Sequence, residues 1–406
     1  MTQVKLKKGE GRTVNAGGLW VYDNEIDAVL PGSDGRMPEP GEPVRVLAFN
    51  EYPLGVGLYN PASKIRIRLL SRDADADITS DAFFAARVHN AVEYRRHIMD
   101  DLGSCRLIFG EADYLPGLTV DKFSDCLVVQ SLFLGTDRYK DKIIDLLKRE
   151  LAGLGIPIRG VFERSDAKVR LQEGMELTTG FIGEPFDTVV TIEENGVKYR
   201  VDVAEGQKTG FFLDQKFNRR AIRPMCRDAA RVLDVFTHTG SFALNAAMAG
   251  AKDVTAIDAS DRAIEMAREN AKLNGVEDRM HFECGDAFAA LEKKVADGEL
   301  FDVVILDPPA FTKSRASVKN ATRGYREINL LGLKLVKDGG YFATCSCSHF
   351  MTPELLEAAI AQAARAAHKR LRQIEVRAQS PDHPVVWGME NSYYLKFYIF
   401  QVLDER

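Results

Sequence analysis

The sequence predicts an α/β protein whose C-terminal half is a doubly wound, Rossmann-like sheet, preceded by a small β-rich module and a central α+β segment. Three observations carry that prediction. From about residue 191 short apolar runs alternate with longer amphipathic stretches, the pattern of parallel strands joined by crossover helices. Residues 1–72 instead break into short apolar runs separated by Gly/Pro punctuation such as Pro31-Gly32-Ser33-Asp34-Gly35 and Pro40-Gly41. The 406 residues accommodate several domains at about 100–200 residues each. The expected division is 1–72, 73–190 and 191–406.

In chain order, 19–22, 44–49 and 54–59 read as strands of the N-terminal module. In the central segment, 81–102 has helical spacing through Phe84, Val88, Ala91 and Ile98. Residues 127–134 and 161–164 read as strands. Residues 139–154 read as an amphipathic helix closed by Gly155 and Pro157. In the last segment, strands are expected at 231–236, 254–258, 280–284, 302–306, 341–346 and 394–402. Ser260 is placed to cap a helix over 261–274, which Gly275 ends.

Lys plus Arg number 54 against 59 Asp plus Glu, a net charge of −5. That average speaks against a protein coated with basic surface, but phosphate binding is local. The first 72 residues hold ten Lys/Arg against eight Asp/Glu. No apolar run is long enough for a membrane helix, and the N-terminus lacks the apolar core of a signal peptide. The six cysteines are scattered, and Cys345-Ser346-Cys347 is poorly spaced for a disulfide. A cytoplasmic protein with reduced thiols and no metal site is expected.

Ligands of doubly wound sheets sit beyond the C-terminal strand ends. Four such ends carry acid here. The first runs Val232-Leu233-Asp234-Val235-Phe236-Thr237-His238-Thr239-Gly240-Ser241, with Gly240 permitting close backbone approach. The glycines of a dinucleotide fingerprint are replaced by Phe236 and His238, so a pyrophosphate-gripping loop is not expected. The second end supplies Asp258, 24 residues after Asp234 and placed to hold ribose hydroxyls, with Ser260 beside it. The third supplies Gly285-Asp286-Ala287, suited to an adenine amino group. The fourth is Leu306-Asp307-Pro308-Pro309-Ala310-Phe311. A single aspartate would read as a cap or a surface carboxylate; four at successive ends read as a nucleoside pocket. Ribose and adenine without a phosphate grip point to S-adenosylmethionine (SAM).

Residues 231–347 resemble a class I SAM-dependent methyltransferase. With the upstream stretch Glu205-Gly206-Gln207-Lys208-Thr209-Gly210-Phe211-Phe212-Leu213-Asp214-Gln215, and with Gly17-Gly18-Leu19-Trp20-Val21-Tyr22 and Gly55-Val56-Gly57-Leu58-Tyr59-Asn60-Pro61, nearly the whole chain is similar to the bacterial ribosomal RNA large-subunit methyltransferase I family. The resemblance implies a PUA domain, a central domain and a methyltransferase domain that acts on cytosine C5 of 23S rRNA, either naked or in a pre-50S particle. It implies a lid at 205–219 with Phe212 and Gln215 against SAM, and it allows a homodimer. Here Ala310 stands where the family often has lysine, leaving Lys313 as a substitute.

C5 of a pyrimidine is a weak nucleophile until a thiolate adds to C6, so such an enzyme needs a cysteine at the pocket. The family's Ser-Cys-Ser motif falls on Ser346-Cys347-Ser348, which makes Cys347 the expected nucleophile; Cys345, two positions earlier on the same expected strand, reads as a small buried residue. Asp307 is expected at cytosine N3 and N4, with Phe311 either stacking on the base or packing in the core. The base that removes the C5 proton is left open among Cys345, water and Asp307. His238 and His349 read as packing or hydrogen-bonding residues. The cofactor set is Phe212, Gln215, Asp234, Phe236, Thr237, Gly240, Ser241, Asp258, Ser260, Asp286, Ala287 and Asp307.

Residues 308–326 contain Lys313, Arg315, Lys319, Arg323 and Arg326 and no acid, a local patch for phosphates. Lys5, Lys7, Lys8, Arg12, Lys64, Arg66 and Arg68 are the N-terminal candidates. A stacked target base would have to be flipped into the pocket. Two rival readings are a guanine-nitrogen methyltransferase of the same superfamily, which needs no thiol, and a non-catalytic RNA-binding factor. A nicotinamide oxidoreductase is disfavoured by the missing glycines.

Overall fold

The computed structural model describes residues 1–312 and 314–405. The chain divides into two compact units with interleaved segments. The first comprises 1–192, 201–213 and 381–390, the second 193–200, 214–380 and 391–406. Segments 201–213 and 381–390, which sequence order groups with the last domain, thus fold with the first unit.

In the first unit, a six-stranded sheet is built from Thr2–Leu6, Trp20–Tyr22, Ile26–Leu30, Pro43–Leu47, Pro53–Tyr59 and Ile65–Ser71. Alternating Val4, Leu6, Val44, Val46, Ile67 and Leu69 form its core, joined by Met389. A five-stranded sheet follows: Ser104–Phe109, Leu118–Phe123, Cys126–Ser131, Gly160–Ser165 and Thr178–Ile182. It is accompanied by the helices Asp81–Ile98 and Lys140–Gly153. One N-terminal candidate is corrected here. Arg68 is buried and donates to Glu111 (2.8 Å) and Glu173 (3.2 Å), with its guanidinium 5.3 Å from the Trp20 ring centroid. A cation held this way is unavailable to phosphate.

The second unit holds a seven-stranded sheet. Its strands are β1 (Arg231–Val235), β2 (Asp253–Asp258), β3 (Met280–Cys284), β4 (Phe301–Leu306), β5 (Val336–Ser346), β6 (Lys369–Arg377) and β7 (Lys396–Asp404). Their spatial order is β3-β2-β1-β4-β5-β7-β6. The first five strands are parallel, whereas β7 runs antiparallel to both β5 and β6. The sheet is therefore mixed, not parallel throughout. The intervening helices are α1 (Ser241–Ala249), α2 (Asp261–Leu273), α3 (Ala287–Ala296), α4 (Val318–Lys334) and α5 (Pro353–Ala366). On one face α3, α4 and α5 pack Leu291, Ile328 and Ile360 against Val304, Leu306 and Phe342. At another contact Phe242 of α1 stacks on Phe397 of β7 at 5.7 Å. Strand order reverses between β1 and β4, so their C-terminal ends open the crevice where ligands bind in this class of sheet.

Candidate active site

The loop after β1 is wound more tightly than its residues suggest. Phe236 (φ 65), His238 (φ 53) and Gly240 (φ 85) are all left-handed, at alternate positions. Alternation of this kind turns successive N–H groups toward one concavity. The glycines expected for such a loop are absent at two of the three positions, yet the backbone adopts it. Tertiary contacts hold it there. Asp234, fully buried at the end of β1, accepts from Thr237 Oγ1 (2.5 Å) and from Ala243 N (2.8 Å) through Oδ2. Asp258 Oδ2 accepts from His238 N (2.8 Å), and its Oδ1 accepts from Ser260 N (3.0 Å). Thr237 thus spends its hydroxyl on Asp234. The carbonyl of Ser241 receives Tyr199 OH (3.1 Å) and Asn245 Nδ2 (2.9 Å).

Asp234 Oδ1 is buried and has no hydrogen-bond partner among the described residues. Burial pushes this carboxyl up to about 7, with the negative charges of Asp307 and Asp258 adding to the effect. An unpaired, buried carboxylate oxygen is costly unless a ligand donates to it. SAM brings a sulfonium and an ammonium, and the residues present suit such a cation.

Both outer strand ends lead into capped helices, the first capped by Ser260 after Asp258 and the second by Asp286 itself. Ser260 Oγ accepts from Ala263 N (3.3 Å) at the start of α2. Asp286 Oδ1 accepts from Ala289 N (3.0 Å) at the start of α3, with Ala287 buried behind it. Asp258 and Asp286 each retain acceptor capacity, because a carboxylate offers about four lone-pair sites.

At the end of β4, Asp307 meets β5. Its Oδ1 accepts from Cys345 Sγ (2.9 Å) and from Gln215 Nε2 (3.0 Å). Burial pushes the Asp307 carboxyl up to about 6, with the charge of Asp214 acting in the same direction. Cys345 is fully buried, and burial, reinforced by Asp307, pushes its thiol well above the ordinary value. β5 ends at Ser346, so the strand alternation stops one residue before Cys347, which is half-buried just past the strand. Ser346 Oγ donates to the buried phenol of Tyr325 (2.9 Å), and Ser348 Oγ donates to the carbonyl of Thr312 (2.9 Å). These bonds tie the Cys347 turn to α4 and to the loop after Asp-Pro-Pro. Phe311 packs on Tyr325 at 4.7 Å.

Gln215 faces Asp307 and also donates to Cys345 Sγ (3.5 Å). Its carbonyl end accepts from Asn218 Nδ2 (2.7 Å), and Asn218 Oδ1 accepts from Arg377 Nε (3.0 Å). Phe212 belongs to the first unit, where the Lys208 ammonium lies 4.8 Å from its ring centroid. His238 is pushed down to about 4 by burial, so it is neutral, as expected for a packing or hydrogen-bonding histidine. Lys313 lies outside the described residues.

Sequence reasoning missed Asn218, Arg377, Tyr325 and Lys396. Lys396 carried a signal: a lone cation in the run Tyr393-Tyr394-Leu395-Lys396-Phe397-Tyr398-Ile399-Phe400. Asn218, three residues after Gln215, carried none. None of the six cysteines is in a disulfide. In the first unit His89, Glu93 and Glu150 bring one potential ligand atom each within 4.8 Å of one another.

A doubly wound sheet whose penultimate strand in space is reversed, with carboxylates at successive strand ends and one buried carboxylate oxygen left without a partner among the described residues, defines a SAM-dependent methyltransferase. The S-adenosylmethionine-dependent methyltransferase family model matches residues 168–395, and a PUA-like domain model matches 4–72. The chain belongs to the ribosomal RNA large subunit methyltransferase I family. Its relatives of that name from Shewanella denitrificans and Erwinia tasmaniensis are each 36% identical. The first match covers 98% of this chain and 99% of the relative, the second 98% of each. Among solved structures, SMU.776 complexed with SAH has a TM-score of 0.82 at 18% identity, covering 99% of this chain and 100% of that one. A SAM-dependent methyltransferase from Agrobacterium tumefaciens has a TM-score of 0.52 at 18% identity, covering 74% and 90%. The protein is a SAM-dependent methyltransferase of large-subunit ribosomal RNA. No described helix is long and apolar enough to cross a membrane.

Proposed function

We propose that the enzyme forms 5-methylcytosine in 23S rRNA through a covalent adduct with Cys347. Asp234, Asp258, Ser260, Asp286 and Ala287, with the Phe236–Ser241 loop and Gln215, hold SAM, which supplies an electrophilic methyl group. The Cys347 thiolate adds to C6 of a flipped cytosine, and the electron pair moves to C5. C5 attacks the methyl group and S-adenosylhomocysteine leaves. A base then takes the C5 proton, and the returning electron pair expels the thiolate.

The observation that carries this reading is the contact between Cys345 Sγ and Asp307 Oδ1 (2.9 Å). It fastens the thiol-bearing strand to the Asp-Pro-Pro turn, with the half-buried Cys347 two residues beyond. A carboxyl pushed up to about 6 holds its proton more readily than an ordinary one, which suits donation to cytosine N3. Nitrogen methylation would need no thiol there. Arg315, Lys319, Arg323 and Arg326 are all exposed, and the last three recur along one face of α4, suited to phosphates around the target.

The test is adduct trapping. RNA carrying 5-fluorocytosine at the target cannot lose a proton from C5 after methylation, so the thioether should accumulate. We expect an SDS-stable RNA–protein species in the wild type and none with Cys347→Ala. Trapping that persists in Cys347→Ala and disappears in Cys345→Ala would reassign the nucleophile. Turnover without any adduct would favour nitrogen chemistry.

A further inference from the structure

Lys396 opens β7 opposite Ser346 of β5, and its side chain is buried, with 1% of the residue exposed. A buried ammonium is expensive unless something takes up its charge. No carboxylate does so among the described residues. Its Nζ donates to the carbonyls of Ser348 and Tyr394 (3.0 Å to the latter) and stands 5.9 Å from the Tyr393 ring centroid. An ammonium has three donors and no acceptor, so two carbonyls leave one donor unspent. The carbonyl of Ser348 belongs to the residue immediately after Cys347.

We propose that Lys396 is a positioning residue for the methyl transfer: it pins the Ser346–Ser348 turn and directs positive charge at Cys347, favouring the thiolate. The inference rests on the reading of Cys347 as the nucleophile. Among the described residues, four neutral or weakly acidic groups lie near this pair. Cys345 and His349 approach from β5 and the turn after it, the Tyr325 phenol from α4, and the Tyr393 phenol from the residues before β7. Asp307 accepts from the Cys345 thiol. Burial lowers Lys396 to about 8, and the two thiols act in the opposite direction. A thiol beside a fixed cation titrates lower than an isolated one.

The experiment is the pH dependence of Cys347 alkylation by iodoacetamide, read peptide by peptide in the mass spectrometer. It uses the full-length wild type, Lys396→Met and Lys396→Arg. In the wild type we expect a midpoint below the ordinary thiol value of about 8.5. Lys396→Met should raise it by at least one pH unit, a tenfold loss of thiolate at pH 7, and Lys396→Arg should restore most of that loss. Unchanged SAM binding by calorimetry certifies that the variants fold. A Lys396→Met protein that binds SAM and keeps the wild-type midpoint overturns the proposal. Should the variants not fold, a wild-type midpoint at or above 8.5 overturns it alone. Failure of the nucleophile reading is distinguishable, because fluorocytosine trapping would then be absent or survive Cys347→Ala while the alkylation shift remained.

Discussion

The sulfur of Cys345 lies 2.9 Å from Oδ1 of Asp307, and the same oxygen receives the amide of Gln215 at 3.0 Å. One carboxylate oxygen thus joins the end of β4, the end of β5 and the segment leading into the second unit. The thiol in that contact is the buried one. Cys345 is buried and Cys347 half-buried, and this difference in environment is why Cys347 is the one proposed as the nucleophile.

That separation predicts different losses for the two. Cys347→Ala should reduce methyl transfer from labelled SAM by at least about a thousandfold, since it removes the covalent step. Cys345→Ala should cost about tenfold, through a less firmly held Asp307. Equal losses would contradict the assignment.

Both acids of the proposed cofactor pocket are raised, Asp307 to about 6 and Asp234 to about 7. A carboxyl raised on folding contributes stability below its unfolded value, and that contribution is lost as pH rises through the folded value. The ligand-free protein should therefore lose melting temperature between about pH 4 and pH 7 from these two groups. SAM is a cation and favours the charged carboxylates, so its binding should release protons near pH 6.5 and almost none at pH 8.5. Calorimetry in buffers of different ionisation enthalpy measures that release directly.

Asn218→Ala leaves the carbonyl end of Gln215 and the guanidinium of Arg377 without their shared partner. Burying unsatisfied groups costs about 1–3 kcal/mol, to be read as a shift in denaturant midpoint. Freed to rotate, Gln215 should also lower kcat more than it changes the affinity for SAM.

Arg315, Lys319, Arg323 and Arg326 should act as phosphate contacts. Replacing any one by Ala should weaken RNA binding at every sequence tested and reduce the salt slope by about 0.7–0.9. Arg68→Ala should leave the slope unchanged and destabilise the first unit, because its charge is already spent on Glu111 and Glu173.

Much of this arrangement was legible in residues 231–347. Five parallel strands declared themselves because buried strands need apolar runs, and their terminal acids fell where the crevice lies. β6 did not: Lys369-Arg370-Leu371-Arg372-Gln373-Ile374-Glu375-Val376-Arg377 is an edge strand, too polar to stand out. The reversal of β7 is invisible because strand direction leaves no mark in composition. Phe236 and His238 rightly spoke against a dinucleotide loop but gave no sign of their left-handed backbone. Glycine permits a left-handed residue without strain, but here Asp234 and Asp258 hold the loop through Thr237 Oγ1 and His238 N. Arg68 looked available because a strand pattern does not reveal which acids, more than forty residues away in sequence, will fold against it.

The most direct test of the account is nucleoside mass spectrometry of 23S rRNA incubated with the enzyme and deuterium-labelled SAM. The account predicts labelled 5-methylcytidine, formed by the wild type and not by Cys347→Ala. Labelled N-methylguanosine in its place, or 5-methylcytidine undiminished in Cys347→Ala, would contradict it.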